Sequence, residues 1–375
     1  MIDEQVARFA LSPELVMLNH ASFGVMTTET MELASAVRAE LELDSLALVD
    51  VEALVPRLRT AAAAGARVLG LDPAATTLTQ NATAGAAALM RSLPLDRGDA
   101  VVVLSSEYAS VLRGWQVRCN EVGARFVHVE VPMPLRSSAA LLERLEASVR
   151  GDVAVVQLSL VTSSTAVALP VAEVAAWGRS RGAVVVLDAA HGPGHVAVQP
   201  DAWDVDAMFA TMHKWFPTPR PVGLLWLSAP LLDVVRPAEV SLTWDSSDLV
   251  ERFSWPGTFD PTPRLCLPAA IEAWAAWEAA GDLARSADVA RYASRRLEAV
   301  GGVATATEQF LAPRLRAVAL PSHDRAELLG AMAAKGLRGW TGLGPSGETM
   351  LRVATHVYND ESDVDRLCDV VAATT

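Results

Sequence analysis

Short apolar, β-branched runs alternate with alanine-rich stretches of helical spacing through the first two thirds of the chain. Residues 76–79, 100–104, 125–130, 153–158, 184–187, 206–210 and 222–227 read as strands. Residues 184–187 are apolar at every position rather than at alternate ones, the pattern of a strand buried on both faces. Between them, residues 83–93, 110–121, 138–148 and 171–181 carry helical periodicity. This alternation predicts an α/β fold on a mainly parallel, doubly wound sheet. A loop-rich zone follows over 241–268, with Pro256, Gly257, Pro261, Pro263 and Pro268. Beyond it the pattern gives one long helix over 268–300, a strand at 314–320, a helix at 325–335, a strand at 349–354 and a last helix at 360–373. The expected division is a large domain over 25–265 and a smaller α+β domain over 266–375, with residues 1–24 folding back near the second.

Composition adds bounds. The 375 residues are 51% hydrophobic with a mean hydropathy of +0.26, enough for a large core. No uninterrupted apolar run reaches membrane-spanning length, so no membrane association is expected. The formal charge is −13, which argues against nucleic acid as the main partner. The start, Met1-Ile2-Asp3-Glu4-Gln5, lacks the basic and apolar regions of a signal peptide. Cys119, Cys266 and Cys368 are scattered, with neither metal spacing nor a disulfide framework. A reducing, cytoplasmic compartment is the expectation.

The candidate chemistry begins with lysine scarcity. Only Lys214 and Lys335 occur. Lys335 precedes Gly336 at the end of a helical pattern, an ordinary cation position. Lys214 lies in Thr211-Met212-His213-Lys214-Trp215, between two apolar runs. An amine there is costly to bury unless it is tuned or covalently engaged. It can be a lysine snorkelling at a strand end, or it can hold an aldehyde cofactor as a Schiff base. Upstream, the run 184–187 ends in Asp188-Ala189-Ala190-His191-Gly192-Pro193-Gly194. An acid at the carboxyl end of a buried strand stands where open α/β sheets place ligand-binding groups, or it caps a turn. Gln80-Asn81-Ala82-Thr83-Ala84-Gly85 joins a strand to a helix of small residues. It can serve as a plain cap or as a phosphate cradle.

Taken in order, Asn81-Ala82-Thr83, Glu107-Tyr108, Asp188-x-x-His191 and Thr211-x-His213-Lys214-Trp215 resemble the class V aminotransferases, fold-type I enzymes that use pyridoxal 5′-phosphate. Leu18-Asn19-His20-Ala21-Ser22-Phe23-Gly24, Pro256-Gly257-Thr258 and Leu351-Arg352-Val353 are similar to the isopenicillin N epimerase branch. The resemblance spans nearly the whole chain. It implies a seven-stranded large-domain sheet, cofactor attachment at Lys214, Asp188 at the pyridine nitrogen and His191 at the ring oxygen. Tyr108 is implied to stack on the ring, and Ala82, Thr83, Thr211 and His213 to contact the phosphate. Thr258 would reach the phosphate of a second subunit, which implies a homodimer. Arg352 would hold a substrate carboxylate, and Asn19, His20 and Ser22 would line the substrate pocket. Leu160 departs from the Asn or His usual near the ring oxygen, and Pro221 replaces a small residue. No cysteine occurs in residues 336–350, which disfavours cysteine desulfurase chemistry.

The resemblance implies bond cleavage at Cα of an amino acid without naming the reaction. The first expectation is a C–S β-lyase acting on a cysteine S-conjugate in specialised metabolism such as antibiotic biosynthesis. Alternatives are an epimerase using His20 or Tyr108 as a second acid, a decarboxylating deaminase, an aminotransferase, and a non-catalytic binding module.

Overall fold

A computed structural model describes residues 2–374. Its centre is a seven-stranded sheet made of β1 (Thr76–Thr79), β2 (Ala100–Leu104), β3 (Arg125–Val129), β4 (Val155–Ser159), β5 (Val184–Ala189), β6 (Ala207–Thr211) and β7 (Gly223–Leu227). The spatial order is β1-β7-β6-β5-β4-β2-β3. Strands β2 to β6 pair in parallel, and β7 runs antiparallel to both of its neighbours. The mainly parallel sheet read from the sequence is therefore the one observed.

Alternation along the strands builds two cores. Val101, Val103, Val186 and Phe209 join one cluster with the helices Ala82–Ser92 and Ala109–Val122. Val102, Leu104, Val185, Leu187 and Met208 join the other, with the helices Ser138–Ser148 and Val171–Arg179. Helices on both faces explain why the run 184–187 is apolar throughout.

The chain then builds a four-stranded antiparallel sheet from β8 (Val303–Ala304), β9 (Leu315–Leu320), β10 (Trp340–Leu343) and β11 (Thr349–Ala354), in the order β10-β11-β9-β8. Residues 268–300, expected as one helix, form two, Leu267–Ala279 and Asp282–Ala299. Gly281 between them adopts φ 79°, a left-handed conformation that glycine enters without the Cβ penalty and that ends a helix. Three helices lie between residues 28 and 68, absent from the sequence reading; the third, Val51–Val68, packs against β1, and Asp44 and Asp50 cap the second and third.

The N-terminal segment crosses toward the second sheet. Val16–Met17 pairs in parallel with Leu337–Arg338, and Asn19 forms a bridge with Ala354. This pairing carries residues 19–24 against β11, and so to the edge of the cavity described next.

Candidate active site

The carboxyl ends of β4, β5 and β6 deliver Ser159, Asp188 and Thr211 to one cavity of about 480 Å³. This is where a parallel sheet opens to ligands. The cavity is also lined by Asn19, Ser22, Ala82, Thr83, Tyr108, His191, His213, Lys214 and Arg352. Residues separated by more than 300 positions thus meet in one space.

Lys214 is central to it. Burial lowers its amine to about 8, against the opposing charge of Asp188. Its Nζ lies 3.3 Å from His191 Nε2 and makes no ion pair among the described residues. Burial and the Lys214 charge hold His191 well below its ordinary value, so its ring is neutral, and its Nδ1 has no partner. Asp188 is buried and raised by desolvation, with the Ala190 N–H (2.8 Å) and Lys214 opposing that shift. Its charge is only partly compensated by the protein.

His213 is held against the residue that precedes β7: its Nδ1 lies 2.9 Å from the Val222 nitrogen and 3.0 Å from the Val222 carbonyl oxygen. Burial lowers this ring to about 4, leaving a neutral imidazole on the cavity wall. Opposite it, Asn81 caps the helix Ala82–Ser92 by accepting from the Ala84 N–H at 2.9 Å. The first N–H groups of a helix have no partner within it and favour an anion.

Two glycines make the site compact. A Cβ on Gly24 would lie 2.0 Å from the His213 carbonyl oxygen, and Gly24 has φ 66°. A Cβ on Gly223 would lie 2.5 Å from the Asn81 backbone. The first clash would separate the N-terminal segment from the Lys214 loop, the second the helix cap from β7. Gly24→Ala is accordingly expected to lower thermal stability and loosen cofactor retention together, measurable by differential scanning fluorimetry with and without cofactor.

Arg352, on β11, is buried and desolvation lowers it to about 10. It donates to Ser163, to Asn19 Oδ1 at 3.1 Å and to Ser22 Oγ at 2.8 Å. Trp340, its register partner on β10, lies beneath the guanidinium at 5.0 Å. All these partners are neutral, and no carboxylate pairs with it among the described residues. Trp340 and Ser163 were not singled out from the sequence. Their signal is tertiary, since only strand register and a loop crossing bring them to Arg352.

One expected position differs. His20 does not line the cavity. Its ring turns inward, stacks on His356 at 3.7 Å and bonds Tyr358 Oη at 2.8 Å. Burial first, then the Arg314 charge, lowers it to about 3. In a short helical turn residues three apart share a face, so Asn19 and Ser22 face the cavity together while His20 faces the core. Thr258 lies on another cavity with Arg38, Leu46 and Phe259. Ser159 and Val161, rather than Leu160, reach the cavity wall, and Leu160 packs in the core.

Residues 56–367 match the family model for aminotransferase class-V. The chain belongs to the class V aminotransferases. It is 27% identical to isopenicillin N epimerase of Streptomyces clavuligerus over all of this chain and 98% of that protein. It is 32% identical to a putative L-cysteine desulfhydrase of Oryza sativa subsp. japonica over 59% of this chain and 49% of that protein. Among solved structures, a cysteine desulfurase of Escherichia coli superposes with a TM-score of 0.81 at 20% identity, covering 100% and 98% of the two chains. The cystine C–S lyase C-DES with cysteine persulfide gives 0.79 at 21% identity, over 96% and 97%. These likenesses establish the fold-type I architecture. The chain is a pyridoxal-phosphate-dependent enzyme acting on amino acids.

The residues present fit that cofactor. The cavity offers a buried amine with no ion-pair partner, a buried carboxylate short of a counter-charge, and an N–H-rich helix start among small side chains. The neutral amine is the form that attacks an aldehyde. With Lys214 lowered to about 8, roughly a tenth of it is neutral at pH 7. Cofactor uptake by the apoprotein should therefore accelerate as pH rises through about 8 and then level off. Stopped-flow absorbance checks this; a rate still climbing far into the alkaline range would mean an unshifted lysine. Among the described residues no helix is long and apolar enough to cross a membrane.

Proposed function

We propose that this enzyme is a β-lyase that releases a thiol from a cysteine S-conjugate. The observation that carries the reading is the position of His20. Epimerisation requires a second acid on the face opposite Lys214, and His20, one of two side chains considered for it, is turned into the core. Tyr108 remains at the mouth, about half exposed. Elimination needs no second acid when the leaving group is a thiolate. Relatives named L-cysteine desulfhydrases and a C–S lyase of the same fold lend support.

In this reading pyridoxal phosphate, when bound, supplies an electron sink for a bond broken at Cα. Lys214 would anchor it, and Asp188 would hold the positive charge of its ring nitrogen. His191 would meet the ring oxygen and Tyr108 would cover the ring. The N–H groups of Ala82 and Thr83, the Thr211 hydroxyl and the His213 ring would take the phosphate. Arg352, steadied by Asn19, Ser22, Ser163 and Trp340, binds the substrate carboxylate and thereby fixes the orientation of Cα. Lys214, once displaced by the substrate amine, would be free to take the Cα proton; the β-thiolate would depart, and one water would then leave a keto acid and ammonia. The test is incubation with S-substituted cysteines in D₂O, following thiol, pyruvate and ammonia. Stoichiometric release supports the lyase. Intact conjugate recovered with inverted, deuterated Cα would establish the epimerase, the second reading, with Tyr108 as its acid.

Arg352→Ala should raise KM by roughly 30- to 1000-fold, equivalent to about 2–4 kcal/mol of lost charge-assisted bonding. Arg352→Lys should recover little, because an ammonium cannot donate in the paired geometry. Steady-state kinetics with one S-conjugate separates the KM effect from kcat.

A homodimer completes the proposal. Thr258 sits beside Leu46, which is 80% exposed, and Leu43 in the same segment is 86% exposed. Burying such a patch against a second copy removes apolar surface from water and would offer Thr258 to the partner's phosphate. Leu46→Glu is expected to shift sedimentation toward monomer and to lose cofactor. A fully active monomer would sink the shared site. The domain division at about residue 265 and a cytoplasmic location belong to the same proposal, the latter in keeping with three free, buried cysteines.

A further inference from the structure

Beside Asp188 lies a second buried acid that the reaction above does not use. Glu107 follows β2 and is 5% exposed. Its Oε2 accepts from Gln157 Nε2 at 3.1 Å, and its Oε1 has no partner. It makes no ion pair among the described residues. Gln157 cannot turn away, because its Oε1 accepts from Trp115 Nε1–H at 3.1 Å within the core. That bond commits the amide NH₂ to Glu107. Strand β4, which carries Gln157 and Ser159, pairs Ser159 with Asp188 of β5.

An ionised carboxylate with only neutral donors, no cation and a second carboxylate nearby is strongly disfavoured. Two such acids in one low-dielectric wall cannot both ionise readily, and their titrations are linked. Asp188 has the Ala190 N–H and the Lys214 charge to stabilise its anion. Glu107 has Gln157 with Ser159 alongside, and both desolvation and the Asp188 charge push it upward. Asp188 therefore loses its proton first. We propose that Glu107 is a positioning residue, a carboxylic acid kept protonated behind Asp188 by its burial among uncharged partners and oriented by the Trp115–Gln157 chain, so that Asp188 is the single negative charge facing the cofactor ring. Its effect on the bound cofactor rests on the role proposed for Asp188. Its protonation does not.

The test is infrared spectroscopy of the cofactor-free and cofactor-loaded protein, in H₂O and D₂O, from neutral to alkaline pH. In both forms the wild type should show a protonated-carboxyl C=O band at neutral pH that shifts in D₂O and is lost only at alkaline pH. Glu107→Gln, which keeps the shape, should lack that band at every pH. In Asp188→Asn the band should disappear at lower pH than in wild type, because the repelling charge is gone. In Gln157→Leu, which loses the donor, it should persist to higher pH. The loaded wild type should also show an alkaline inflection in the visible cofactor absorption that Glu107→Gln lacks. A band unchanged in Glu107→Gln, or no such band in wild type, would overturn the assignment. A band behaving as expected without the visible inflection would keep the protonated acid but remove its coupling to the cofactor through Asp188, and so overturn the positioning role.

Discussion

Lys214→Ala is expected to lose turnover by three orders of magnitude or more, roughly the upper range of a single acid–base group with covalent anchorage lost as well. The structure explains why no neighbour can replace it. Among the described residues the only other lysine, Lys335, follows the helix Arg325–Ala334 and lies outside the cavity. His191, 3.3 Å from Lys214 Nζ, is held neutral by burial and by the lysine's own charge. Removing Lys214 takes that charge away and should let His191 protonate more readily. An imidazole still cannot form the covalent link to an aldehyde. Borohydride reduction of the loaded wild type, followed by peptide mapping, should mark the segment containing His213-Lys214-Trp215. A label on Lys335 would refute the assignment, as would Lys214→Ala turning over within tenfold of wild type. The variant should still fold, since a shorter side chain relieves a buried amine of its desolvation cost.

Asp188→Asn is expected to slow the breaking of the Cα–H bond by about two to four orders of magnitude while the fold survives, the amide being nearly isosteric. Burial already disfavours the Asp188 carboxylate, and the Ala190 N–H and Lys214 offset this only in part. A cation arriving beside it recovers that cost, which is why a carboxylate here selects for a charged ring nitrogen. The sign of the pH dependence follows. Asp188 must be ionised to act, and its raised value moves the acid limb of activity upward from the ordinary carboxylate range. In Asp188→Asn that acid limb should vanish while the residual rate remains low. Single-turnover measurement of α-proton exchange isolates this step from product release. An exchange rate near that of wild type would contradict the electron-sink role.

How much was legible in the sequence depends on the range of the interaction. Strand β2 falls where its apolar run places it, because a strand buried on both faces leaves an unbroken local signal. Lys214, Asp188, Thr83 and His213 were visible because each sits at the end of such a run, and parallel strands bring those ends together whatever the details of packing. The division of the 268–300 stretch into two helices was carried by a single glycine, whose left-handed conformation is compatible with either a break or a tolerated interruption until the flanking helices pack. Tertiary structure alone decided the direction of His20. Asn19, His20 and Ser22 are adjacent, and only the bridge to Ala354 and the stack on His356 set which of them faces the cavity. Register on β10 and β11 put Trp340 beside Arg352, and the rigid Trp115–Gln157 pair turned Glu107 from a motif letter into a buried acid. The sequence by itself determined the layered fold and the ends of the strands, since both follow from local periodicity and burial. The facing of each side chain required contacts between separate segments, 50 residues apart for Glu107 and Gln157 and 333 for Asn19 and Arg352, which no local pattern encodes.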